Sequence, residues 1–69
     1  MTYRIIPNVI IAGTRYVVEA DIDSNVLVVL GVYEFETMRP LDEAEISALG
    51  DPLIDFCWMA IEGGQTWLN

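Results

Sequence analysis

Sixty-nine residues are enough for one domain, spanning positions 1–69, and a chain of that size buries only about 60% of its unfolded surface. The 54% hydrophobic content argues against intrinsic disorder, while eleven Asp and Glu against three Arg, with neither Lys nor His, give a formal net charge of −8. That balance argues against direct binding to nucleic acid or to an anionic membrane surface, because phosphate contacts need clustered Lys or Arg.

The first half of the chain reads as strands. Tyr3 to Ile6 and Val9 to Ala12 are β-branched runs separated by Pro7-Asn8, which predicts an interrupted edge strand, since proline cannot donate to a central ladder. Ala12-Gly13-Thr14 is a turn signal. After it, Tyr16, Val18, Ala20 and Ile22 alternate with Arg15, Glu19 and Asp21, the clearest strand pattern in the sequence. Asp23-Ser24-Asn25 is rich in turn formers, and Val26 to Glu36 follows as a third strand. With Ser24-Asn25 as the two loop residues, the hairpin register sets Ile22 opposite Leu27, Ala20 opposite Val29 and Tyr16 opposite Tyr33. On the outer face, Arg15 then meets Glu34. The run Val26 to Val32 is apolar on both faces, so sequence opposes a one-residue slip only weakly.

That two-sided apolarity has a consequence. One sheet face receives the helices, and Val17, Val26, Val28, Leu30 and Val32 are expected to crowd the other, where something must cover them. The candidates are the C-terminal tail with Trp67 and Leu68, a second copy of the chain, or a foreign partner.

The second half reads as helical. Asp42-Glu43-Ala44-Glu45 has the form of a capping box, with Asp42 accepting from the first free N–H groups and Glu45 reaching back. Gly50-Asp51-Pro52 ends this short helix and starts a second, with Asp51 as its cap and Pro52 in its first turn. The second helix runs to about Glu62 and is ended by Gly63-Gly64. Leu53, Ile54, Phe56, Cys57, Ala60 and Ile61 make a wide apolar stripe on it, as expected of the central core helix. Trp58 lies one step off that stripe and is assigned to the core. Gln65 to Asn69 is either a fraying tail or a last short strand. The fold class is therefore α+β: an antiparallel sheet of about three strands packed by one short and one longer C-terminal helix.

The sequence carries no recognisable catalytic machinery. Without His it lacks the commonest general base, any Ser-His or Cys-His pair and the usual transition-metal ligand, so it is read as a non-enzyme needing no cofactor. The one cysteine, Cys57, cannot form an internal disulfide, fits a reducing and so cytoplasmic setting, and is expected to be an inert buried thiol. Asp21-Ile22-Asp23-Ser24-Asn25 resembles the opening of a calcium loop. Val26 stands where that loop needs Gly, however, and Val32 where it needs a bidentate Glu, so the segment is read as a turn. The longest apolar run, Val26 to Tyr33, is too short to span a bilayer.

What remains is a surface. Glu19, Asp21, Glu34 and Glu36 are expected to share the outer sheet face at i, i+2 spacings of about 6.6–6.8 Å, as solvated charges or as a binding face. That spacing approximates neighbouring phosphates, which adds a nucleic-acid mimic that blocks a DNA- or RNA-binding protein to the functions consistent with the sequence. In size, acidity and lack of chemistry the chain is similar to small phage- or plasmid-encoded accessory proteins that bind and block a larger host protein. The similarity is one of composition only. It implies an inhibitor or modulator that contacts a basic surface through Glu19, Asp21, Glu34, Glu36 and Trp67. The alternative is a homo-oligomeric subunit, a homodimer in its simplest form, burying Val17, Val28, Leu30 and Val32 against its own copy.

Overall fold

A computed structural model describes residues 2–64 and the backbone of 66–68. Three strands, β1 (Thr2–Ile11), β2 (Thr14–Asp23) and β3 (Val26–Glu34), form an antiparallel meander followed by two helices, α1 (Glu43–Leu49) and α2 (Asp51–Glu62). A two-residue strand, β4 (Trp67–Leu68), returns to pair with β1, so the sheet order is β3-β2-β1-β4. The class is α+β, as the sequence predicts.

Both hairpin turns have two residues. Ala12 and Gly13 (φ 51° and 81°) and Ser24 and Asn25 (φ 48° and 70°) all take positive φ. Such pairs make turns whose twist matches that of the flanking strands, and Gly13 and Asn25 are residues that tolerate the conformation. The first turn sets Ile11 opposite Thr14 and the second sets Asp23 opposite Val26.

The β2–β3 register begins as expected, with Ile22 opposite Leu27 and Ala20 opposite Val29. It then shifts by one residue between Glu19 and Ala20, so that Glu19 faces Gly31 and Val18 faces Val32. Leu30 is the extra residue of a β-bulge. The expected pairings of Tyr16 with Tyr33 and Arg15 with Glu34 are replaced by Tyr16 with Glu34 and Val17 with Tyr33. A bulge inserts one residue into a strand of period two, so every side chain beyond it changes face.

Strand β1 also differs from expectation. Pro7-Asn8 does not interrupt it but sits at a register shift between Ile6 and Val9, a position that tolerates a missing N–H. Nor is β1 a sheet edge along its whole length, because Arg4 pairs with Leu68 and Ile5 with Trp67. The chain end thus extends the sheet beside β1 and does not lie over β3.

The helices cover one face. Ile6, Val9, Val18, Ala20 and Val32 of the sheet meet Leu53, Cys57 and Ala60 of α2 in the buried core, with Ile11, Tyr16, Leu27, Val29, Ile46 and Leu49 packed around it. Helix α1 has the expected capping box: Glu45 N–H donates to Asp42 at 2.8 Å, and Asp42 N–H donates to Glu45 at 3.2 Å. Gly50, at φ 62°, serves both helices as C-cap and N-cap, which places Asp51 inside the first turn of α2 instead of at its cap. The stripe on α2 is narrower than its sequence suggests. Phe56 is 39% exposed and lies outside the core, Met59 is 67% exposed, and Trp58 is half-buried.

Candidate functional site on the helix-free sheet face

Alternation along the strands sends Tyr3, Ile5, Val17, Glu19 and, beyond the bulge, Tyr33 to the face without helices. With Pro7, Phe35 and Met38 they line a groove of about 370 Å³. The walls are almost wholly apolar, and among the described residues that line them Glu19 is the only charged one. Residues Phe35 to Thr37 form the turn after β3, and Met38, whose N–H donates to Glu34 C=O at 2.8 Å, closes that end.

Glu19 stands between two tyrosines. The Tyr3 hydroxyl donates to its carboxylate from β1, and the Tyr33 ring, on β3, lies over Gly31 directly opposite it. The bulge and Gly31 make the second contact possible. Tyr33 lies back over Gly31, and a Cβ built on that glycine would stand 3.2 Å from the phenol oxygen. An absent side chain directly opposite Glu19 thus gives the ring its place. The hydrogen bond from Tyr3, then that from Tyr33, holds the Glu19 carboxyl below its usual pKa against the smaller opposing effect of burial. The carboxylate in turn raises the Tyr33 phenol above its ordinary value.

No arginine neutralises this carboxylate among the described residues. Arg39 bonds Glu34 and Glu45, at 2.5 and 2.8 Å from Nη2. This exposed triad pulls the Glu45 carboxyl down to about 2, chiefly through the Arg39 hydrogen bond and then through the Asp42 backbone. Arg15 stacks over the Phe35 ring, 3.5 Å from its centroid. Arg4 is half-buried on the helix-covered face, its Nε without a hydrogen-bond partner.

The four acids expected on one face are therefore separated. Glu19 and Asp21 remain together on the helix-free face. Glu34 is turned by the bulge to the opposite face, where Arg39 and Tyr16 are its neighbours, and Glu36 lies in the turn beyond β3. The expected apolar patch divides in the same way. Val28 and Leu30 are 48% and 53% exposed, but Val32 is buried in the core, and Val17 is only 8% exposed beneath the groove. Trp67 pairs through its backbone with Ile5, and its side chain lies outside the described residues. Sequence reasoning named Glu19 but missed Tyr3, Tyr33 and Gly31 as its partners. The available signal was Gly31, a lone glycine inside a strand pattern, which points to a bulge or a close approach.

Cys57 is fully buried, and desolvation pushes its thiol up to about 11. Among the described residues no group of three or more His, Cys, Asp or Glu could hold a metal ion, and no helix is long and apolar enough to cross a membrane. No protein-family model, curated protein or solved structure matches the chain.

Proposed function

We propose that the protein is a small protein-binding module, an inhibitor or modulator of a larger protein, which it contacts through the helix-free sheet face. One observation carries this reading: an open, nearly apolar groove contains an ionised Glu19 with no cation beside it among the described residues. Apolar surface left open on so small a chain favours association, and a net charge of −8 steers a basic partner toward it. A reducing compartment such as the cytoplasm suits the lone thiol.

A photo-reactive amino acid at Met38, on the groove rim, tests the reading against the same group at Met59 on α2. Cross-linking to a larger protein from Met38 alone, weakening as salt rises from about 50 to about 500 mM, is the expected result. Equal cross-linking from Met59, or indifference to salt, would overturn it.

A second reading, self-association, is favoured by a different feature. β3 is a sheet edge whose run from Val26 to Tyr33 carries no charge. Only its far end is covered: Leu41 N–H donates to Val32 C=O at 2.8 Å, and Glu34 N–H donates to Arg39 C=O at 3.0 Å. Lysine, proline and charge, the usual blocks to edge pairing, are missing from Val26 to Gly31. Pairing of two β3 edges would bring together two chains of charge −8, so salt should strengthen it while weakening the binding of a basic partner. Light scattering at low and high salt separates the two readings.

A further inference from the structure

We propose that the groove is a receptor for one basic side chain, an arginine or lysine presented by an extended segment of the partner, with its cation on Glu19 and its aliphatic stem on Ile5, Val17 and Met38. This inference rests on the protein-binding reading and adds the chemistry of the occupant.

The groove and such a side chain match in composition along their length. Arginine and lysine carry an apolar stem and a charged head, and they lie favourably where a hydrophobic wall ends in an anion. Here the wall is continuous and the anion single. The carboxylate is also fixed in place. Of the roughly four lone-pair positions of an ionised carboxylate, the Tyr3 phenol occupies one, leaving acceptor capacity for an incoming N–H donor. Aromatic walls from Tyr3 and Tyr33 further suit a cation.

Charge sets the direction in which the side chain lies. Arg15, stacked on Phe35, places a positive charge at one end of the groove. Glu19 stands four residues further along β2, about 13 Å away by strand rise. The head therefore belongs at Glu19, with the stem running back toward Met38.

Two other occupants fit less well. A neutral aliphatic side chain would cover Glu19 without supplying a counter-charge, and burying an unpaired ion is costly. A second copy of this chain has no ready basic side chain to offer. Arg39 is held by two carboxylates, Arg15 lies on Phe35, and Arg4 is half-buried.

The test is an NMR titration of the intact chain, reading the Tyr3 and Tyr33 ring signals, with n-butylguanidinium, n-butylammonium and 1-pentanol as probes. Both cations should saturate these signals at about 1–10 mM, as ligands of so few atoms allow, and 1-pentanol should bind at least about tenfold more weakly. Glu19→Gln keeps the shape and an acceptor for the tyrosines, and it should erase the preference for cations. Glu62→Gln, on α2, should leave that preference intact. Equal binding of 1-pentanol and the cations to the unaltered chain, or an undiminished preference in Glu19→Gln, would overturn the assignment. The outcomes separate this inference from the reading beneath it. Cation selectivity without any Met38 cross-link retains the site and removes the protein partner, whereas a salt-sensitive cross-link without cation selectivity does the reverse.

Discussion

The two faces of the sheet are built from alternate residues of the same three strands, yet their contents differ in kind. On the helix-covered face, Ile6, Val9, Val18, Ala20 and Val32 bring only aliphatic groups to the buried core. The helix-free face sets Tyr3, Tyr33 and Phe35 beside an ionised Glu19, around a groove that no helix closes. An aliphatic surface needs only shape to be satisfied, and α2 supplies it. A carboxylate cannot be covered by a helix without a partner of its own, and the Tyr3 phenol supplies one while leaving the groove open. The packed core and the open groove thus lie on opposite sides of one sheet.

The comparison breaks most visibly at paired positions. Val18→Asp buries an unpartnered charge at a fully enclosed site and should remove about 3–5 kcal/mol, much of the roughly 3–10 kcal/mol expected of a chain this long. Val28→Lys, on the open side and directly opposite Asp21, should leave the urea midpoint nearly unchanged and act only on the mass measured by light scattering. Comparable destabilisation by the two would show that the open face is closed in solution.

Deleting Leu30 tests how the faces are assigned. Without the bulge β3 pairs regularly, with Gly31 still opposite Glu19, Val32 opposite Val18 and Tyr33 opposite Val17, so the variant should keep Val32 in the core and Tyr33 beside Glu19 and lose under about 1 kcal/mol. A loss of about 2–4 kcal/mol together with a Glu19 that titrates at its ordinary value would show that the end of β3 had turned over.

Acid should affect the carboxylates on both sides. The folded-state pKa of Glu45 falls to about 2, and that of Glu19 lies below its usual value. Both contributions are therefore present above the ordinary carboxylate range and are lost as pH falls toward 2. Glu45→Gln and Glu19→Gln should each flatten that decline in a pH series of urea melts. Cys57 works in the opposite direction, since its raised pKa means stability is lost as pH rises from about 9 toward 11.

The smallest effect is the most local. Gly31→Ala places a methyl group 3.2 Å from the Tyr33 hydroxyl oxygen, so the ring must shift by a few tenths of an ångström. The expected stability change is under about 1 kcal/mol. The Glu19 carboxyl, followed by carbon-13 NMR, should titrate closer to its ordinary pKa, and no change would mean that Tyr3 alone sets it.

Much of the architecture is legible in the residues, because local chemistry dictates it. The turns at Ala12-Gly13 and Ser24-Asn25, the capping box at Asp42 and Glu45 and the break at Gly50 each depend on neighbours within a few positions. The bulge does not. Val26 to Val32 is apolar at every position except Gly31, so neither register exposes a charge or buries one, and alternation cannot reveal the extra residue. Everything downstream of Leu30 was accordingly misplaced: Val32, Tyr33 and Glu34 each lie on the face opposite to the expected one. The groove was illegible for the same reason, since Tyr33 reaches Glu19 only after the shift. The sequence of residues 65–69 reads equally as a fraying tail or a last short strand, because the pairing of β4 with Arg4 and Ile5 depends on residues at the other end of the chain.

That last pairing has a kinetic consequence. The meander is joined by turns of two residues, so its ladders can close over short loops, and chains with such local contacts fold quickly. The link from Ile5 to Trp67 is different in scale, because it cannot form until almost the whole chain has been traversed. It should be the last ladder to assemble and the first whose amides exchange with solvent, a clasp that opens while the rest of the sheet stays shut.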